Sequence, residues 1–226
     1  MTELFDISRT LCGNLAPWPG DTPFRFELNW KMAEGATVNV GKMEMGVHNG
    51  SHADAPFHFA PTGKTIDRLS LETFIGPAAV ADLTNIFRDE AEPREIAVAD
   101  LEPYAGNLIE APRLLLKTDW WRDSTMFPSR IPVIAADVPS WLKARGVVLL
   151  GLDLPSVDPI DSKDLSNHHA LAKAGIAIVE GLDLSQITAG RYNFAALPLK
   201  IAGGDAGPVR AILWREQPNE SVPGRD

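Results

Sequence analysis

The chain has 226 residues, 45% of them apolar and 23% charged, with a formal net charge of −9. This is the composition of a globular protein, and the length suits one sizeable core rather than several. A surface this acidic repels phosphate backbones and anionic lipid, which argues against nucleic acid and membrane surfaces as partners.

A single cysteine, Cys12, rules out an intrachain disulfide and fits a reducing cytoplasm. No motif surrounds it, so it reads as a small apolar residue. The opening Met-Thr-Glu-Leu-Phe-Asp has no basic region and no apolar run, so no signal peptide is expected. No stretch approaches the length of a membrane span.

In chain order, residues 14–23 are dense in Pro and Gly and read as an ordered loop. Alternating residues predict a strand over 24–30 and another over 36–48, with a phase slip near Gly41 of the kind a β-bulge makes. Further strands are predicted at 77–83, 113–118, 147–153, 176–180, 192–199 and 208–214. Several are near-continuous apolar runs, as in strands buried on both faces. Helices fit 98–104, 137–145 and 166–174, the second with Asp137 as cap, Pro139 in its first turn and Gly146 at its end. Residues 216–226 form a polar tail. The whole reads as one mixed α/β domain, rich in strands. Gly203-Gly204-Asp205 lacks the strand–turn–helix setting of a nucleotide fingerprint, and no G-x-S-x-G elbow is present.

The histidines carry the chemical signal. Of five, three fall within residues 48–58 and two are adjacent, His168 and His169. His48, His52 and Asp54 share even parity, so on an extended strand they face the same way. Gly50 and Pro56 argue against a helix there. Two imidazoles and a carboxylate suit Zn²⁺ or a similar divalent ion, and three protein ligands leave a position for water, as in catalytic sites. Such an ion lowers the pKa of bound water to about 7. Pro56 restricts Ala55 to an extended conformation. His58, offset beyond that turn, suits a proton carrier, with a further ligand as the other reading.

Ser166 or Asn167 can cap the helix that carries His168. Twelve residues after His168, Glu180 ends an apolar run and needs a charged partner. Capping and a buried ion pair would account for this second cluster; a second metal position, bridged by Asp54 and Glu180, would account for both clusters together. Trp120-Trp121 reads as core packing or a subunit contact, with stacking on a substrate as the alternative.

The run His48-x-Gly50-x-His52-x-Asp54-x-Pro56-x-His58 resembles the signature of the cyclase-type metal-dependent amidohydrolases. The likeness extends to Asp6-Ile-Ser, Trp18-Pro-Gly-Asp-Thr-Pro23, Gly151-x-Asp153-x-Pro155-Ser156, Ser162-Lys163, Ile178-x-Glu180-Gly181, Ala196-Leu-Pro-Leu-Lys200 and Pro208-Val-Arg-Ala-Ile-Leu213. It leaves out the polar tail and residues 86–112. The resemblance implies a single α/β domain over residues 1–215, with a barrel-like, strand-rich core and flanking helices of the swivelling β/β/α type, assembled as a homodimer. It implies two Zn²⁺ per subunit, with Mn²⁺ as the alternative. His48, His52 and Asp54 would hold the first, Asp54 and Glu180 would bridge, and His168, selected over His169 by its spacing from Glu180, would complete the second. His58 would be the proton donor and acceptor. Trp18 would meet the ring of a small aromatic formamide, hydrolysed to formate and the free amine. Other members open cyclic amides such as isatin, which is the alternative substrate class; a metal-binding protein without catalysis is the alternative outside enzymes. The family commonly has Thr where this chain has Asn49 and Ser51; both are odd-numbered, so they are expected to face away from the metal.

Overall fold

The structure is a computed structural model, and residues 2–88 and 90–216 are described. In chain order the strands are β1 (Thr2–Asp6), β2 (Arg25–Trp30), β3 (Val40–Glu44), β4 (His52–Asp54), β5 (Ile75–Asp82), β6 (Arg113–Lys117), β7 (Leu149–Leu152), β8 (Ala177–Glu180), β9 (Gly190–Ala195), β10 (Ala206–Pro208) and β11 (Ile212–Glu216). The α-helical segments are α1 (Thr84–Phe87), α2 (Val98–Leu101), α3 (Val138–Ala144) and α4 (Ser166–Ala174). Nine strands make one sheet in the order β1-β11-β9-β5-β6-β7-β8-β4-β10, with β2 and β3 paired separately. The apolar runs β5 to β8 are its parallel centre, and the outer strands are antiparallel.

Period-two alternation on the central strands feeds two cores. Leu114, Leu116, Leu150 and Leu152 face the helical layer, with Trp141 and Leu171. Leu115, Leu149 and Val80 face inward, against Ile7, Phe194 and Leu213. Each such side chain contributes about 1.5–3 kcal/mol by leaving water. The inner core exists because the sheet curls. β10 and β11 occupy nearly opposite ends of the strand order, yet only residues 209–211 separate them. The two ends of the sheet therefore lie within roughly 14 Å of each other. A bridge between Ser8 and Leu182 ties the curl together, giving a half-barrel with flanking helices.

This geometry corrects several expectations. The single strand expected at 208–214 is two strands, because the chain crosses the mouth of the curl at residues 209–211. The strand expected at 192–199 runs Gly190–Ala195, and β1 adds an edge that its short, half-polar sequence does not announce. The strand expected at 36–48 is only Val40–Glu44. The slip near Gly41 belongs to its partner: Leu28 pairs with Gly41 and Trp30 with Val40, so Asn29 is the extra residue. The helix expected at 98–104 is one α-turn, Val98–Leu101, that tightens into a 3₁₀ helix from Glu102. Asp137 stands at the N-cap of α3 without a side-chain bond, and Gly146 follows its end at φ +73°. Of the polar tail, all but Glu216 lies outside the described residues.

Two glycines seat the turn that enters β4 against the end of β8. Gly50 and Gly181 hold φ of +66° and +65°, and a β-carbon on Gly181 would sit 2.3 Å from the Gly50 carbonyl oxygen. Ser51 completes the junction by donating its hydroxyl to the Gly181 carbonyl at 2.7 Å. Gly181→Ala is therefore expected to destabilise the protein by about 1–3 kcal/mol in urea unfolding. Gly13→Ala, where nothing lies within 4 Å of the added carbon, should stay within roughly 0.5 kcal/mol of the parent.

Candidate active site

β4 is three residues long and wholly buried. Strand alternation turns Ala53 into the inner core and leaves His52 and Asp54 on the other face, as their parity predicts. His48 arrives differently. It lies in a turn, not on an extended strand, and the left-handed Gly50 folds the chain back. Its Nδ1 is thereby brought within 3.3 Å of Asp54 Oδ1. The shared-strand expectation for His48 is thus corrected, though the residue reaches the cluster. Asn49 and Ser51 face away, Asn49 donating to the Thr22 carbonyl at 2.7 Å.

The second cluster meets the first across the Asp54 carboxylate. His52 Nε2 lies 3.4 Å from Asp54 Oδ1 and 3.5 Å from Glu180 Oε2. His168 Nε2 lies 3.4 Å from Asp54 Oδ2 and 3.7 Å from Glu180 Oε1. Donor atoms bound at 2.0–2.1 Å to a tetrahedral ion stand about 3.3 Å apart, so these separations are those of ligands around cations. The atoms otherwise lack a purpose. His52 Nε2 and both Asp54 oxygens are buried and accept or donate no hydrogen bond among the described residues. Unpaired buried polar atoms are costly, and a cation satisfies all three. His48, His52 and Asp54 could hold one ion, and Asp54, His168 and Glu180 another.

Each imidazole is aimed by its remote nitrogen. His52 Nδ1 faces the Gly50 carbonyl at 3.0 Å, and His168 Nδ1 faces Asp158 Oδ2 at 2.7 Å. Both contacts place the ring proton on Nδ1 and leave Nε2 free to ligate. Asp158 also accepts the backbone N–H groups of Asn167 and His168, at 2.9 and 3.0 Å. It therefore caps α4 from outside the helix, in place of the cap expected from Ser166 or Asn167. His169 falls outside the cluster, exposed against Phe59.

A cleft of about 320 Å³ opens onto the cluster, with Trp18, Trp121, Phe127, Pro155 and Leu165 on its apolar side and His48, His58 and His168 among its polar lining. Phe127 packs edge-on against both Trp18 and Trp121, at centroid distances of 5.2 and 5.7 Å. The Arg9 guanidinium lies 4.1 Å over Trp121 and bonds its carbonyl at 3.0 Å. The tryptophan pair thus divides: Trp121 lines the cleft, while Trp120 packs on Phe87 and the helical core. His58 follows the extended Ala55 on a 3₁₀ turn, its ring 4.2 Å from that of His48 and 5.8 Å from that of His168. Cys12 is half-buried and takes no part in the cluster. Asp158, Phe127 and Arg9 carry no motif of their own in the sequence, and Asp205, whose Oδ2 is 2.9 Å from His48 Nε2, sits in a glycine-flanked segment that suggested only a failed nucleotide loop.

Over residues 5–159 the chain matches the Cyclase family model. It is 42% identical to a kynurenine formamidase of Bacillus cereus over 212 residues, covering 94% of this chain and 97% of that protein. It is 44% identical to a kynurenine formamidase of Geobacillus thermodenitrificans over 213 residues, covering 94% and 98%. Among solved structures, isatin hydrolase A from Labrenzia aggregata superimposes with a TM-score of 0.80 at 22% identity, covering 96% of this chain and 94% of that one. A potential metal-dependent hydrolase with cyclase activity superimposes with a TM-score of 0.77 at 24% identity, covering 96% and 100%. These two structures share the fold.

Charge in the cluster depends on what neutralises its carboxylates. Burial opposes a charged imidazole, but pairing with Asp54 and Glu180 outweighs it at His52, and pairing with Asp158 and Asp54 outweighs it at His168; both are pushed up to about 10. Burial, reinforced by Asp54, raises Glu180. At Asp54 burial acts upward, yet His168, His48 and His52 hold it well below the usual carboxylate range. A histidine with a raised folded pKa contributes stability that is complete below its unfolded value near 6.5 and lost as pH rises through the folded value. Chelator-treated protein is therefore expected to lose stability between pH 6.5 and about 10, whereas metal-loaded protein holds it, since cations replace the protons. Denaturant unfolding across that range checks this. Calorimetric titration of Zn²⁺ at pH 8 in buffers of different ionisation enthalpy should show proton release.

Proposed function

The chain belongs to the cyclase family, and we propose that it hydrolyses N-formyl-L-kynurenine to L-kynurenine and formate, a step of tryptophan degradation. The observation that carries this reading is an aromatic-walled cleft that ends on a buried His/Asp/Glu cluster, in a chain 42% identical over 94% of its length to a kynurenine formamidase. The chain is a metal-dependent amidohydrolase. In our reading two Zn²⁺ would occupy each subunit, with Mn²⁺ as the alternative: His48, His52 and Asp54 would hold the first, and Asp54, His168 and Glu180 the second. When bound, such ions polarise a carbonyl oxygen and lower the pKa of water to about 7.

The remaining work falls to the protein. Burial keeps the His58 pKa below its ordinary value, so the imidazole is a free base at neutral pH. It takes the proton of the attacking water and returns it to the aryl nitrogen as the C–N bond breaks, so the amine leaves neutral. Trp18 holds the aromatic ring, with Phe127 and Trp121 behind it, and this fixes the formyl carbon over the cluster. Opening of a cyclic amide such as isatin is the competing reading, but at 22% identity the likeness to isatin hydrolase speaks to fold alone.

We read the assembly as a homodimer, which would cover the apolar side chains exposed on the β2–β3 hairpin, Phe26 at 62%, Trp30 at 60% and Met43 at 56%. We place the protein in the cytoplasm, in keeping with its single cysteine; no described helix is long and apolar enough to cross a membrane.

Purified protein should release formate from N-formyl-L-kynurenine much faster than it opens isatin, and a chelator should abolish the release. His58→Ala should lower kcat by about 10²–10⁴-fold with bound metal retained. Trp18→Ala should raise KM by about 3–10-fold. Chelator-resistant activity would sink the metal mechanism.

A further inference from the structure

Asp205 lies outside the two donor groups described above, yet its carboxylate stands between their edge and the proton carrier. Its Oδ2 is 2.9 Å from His48 Nε2 and 3.5 Å from His58 Nδ1. The first distance is a hydrogen bond, and the second is a longer polar contact to a neutral ring. We infer that Asp205 is a positioning residue that couples His48 to His58, resting this on the hydrolase reading of the site.

Asp205 precedes β10, where Ala206 is paired with Asp54 across the sheet. Its carbonyl accepts the Ala55 N–H at 2.9 Å. The residue is thus clamped to the strand that carries the donor cluster and to the turn that leads to His58. The backbone is thus fixed relative to both rings, and the bond to His48 Nε2 holds the side chain, which is 41% exposed.

Chemistry follows from which nitrogen each ring presents. His48 Nε2 must carry the proton to bond Asp205, which leaves the Nδ1 lone pair directed at Asp54 Oδ1, 3.3 Å away. Asp205 therefore selects the tautomer that can ligate, as Gly50 does for His52 and Asp158 for His168. For His58, the same carboxylate faces Nδ1 at 3.5 Å, which favours the tautomer protonated there and leaves Nε2 as the atom that exchanges a proton. The ring centroids of His48 and His58 are 4.2 Å apart, so one anion orients both.

Two substitutions separate this role from a structural one. Asp205→Ala should weaken Zn²⁺ binding about 10–100-fold, read by competition with a chromogenic chelator. It should also lower kcat for N-formyl-L-kynurenine at saturating Zn²⁺ by at least about tenfold, with KM within twofold of the parent. Asp205→Asn keeps an oxygen that accepts from His48, so it should restore Zn²⁺ affinity while kcat stays low. His58→Ala is the control: it should lower kcat without moving Zn²⁺ affinity, and adding Asp205→Ala to it should lower kcat little further. Parental Zn²⁺ affinity in Asp205→Ala, or a kcat within twofold of the parent, overturns the inference. If the parent itself releases no formate, the functional reading fails instead, and the affinity arm alone decides whether Asp205 holds His48.

Discussion

Two carboxylates buried side by side govern this molecule. The side chains of Asp54 and Glu180 are 1% and 4% exposed, and both converge on His52 and His168. Like charges this close, out of water, cannot persist without positive charge between them. Protons on the imidazoles supply it in the bare protein, and a bound metal ion would take their place. The short β4, the left-handed glycines and the anchored histidines are arranged to meet that demand.

The fold meets it by bringing distant segments to one edge of a curled sheet. β8 supplies Glu180, β4 supplies His52 and Asp54, and β10 closes the far side. α4 brings His168 from the opposite layer, and its first turn is held by Asp158, which also orients the imidazole. One residue thus ties helix capping to ligand geometry. On the cleft side, Asp153 accepts from Thr118 and Asp119 while Arg9 clamps Trp121, so the aromatic wall is set by a polar network beneath it. Catalytic precision depends on such support as well as on the ligands.

Much of this was legible in the chain. Parity on a strand is a local rule, so the common orientation of His52 and Asp54 could be read directly. The even number of His48 suggested the right partner for the wrong reason, since Gly50 supplies by a turn what extension was expected to supply. The apolar runs of the central strands marked the parallel core. The division of residues 208–214 into two strands was not legible, because it depends on the curl of the whole sheet. Asp158 and Asp205 were missed because each acts on a histidine of another segment, ten residues away in one case and 157 in the other. Trp121 reads as core or interface, with stacking on a substrate as the alternative, because sequence does not say which of two adjacent rings faces a cleft.

In the proposed site a cation would sit on either side of Asp54. Anomalous diffraction from metal-loaded crystals, recorded at the absorption edge of the bound ion, tests that directly. The expected map has two peaks per subunit, one among His48, His52 and Asp54, the other among Asp54, His168 and Glu180. A map with no peak at Asp54, or with its peak among His48, His58 and Asp205, would contradict it.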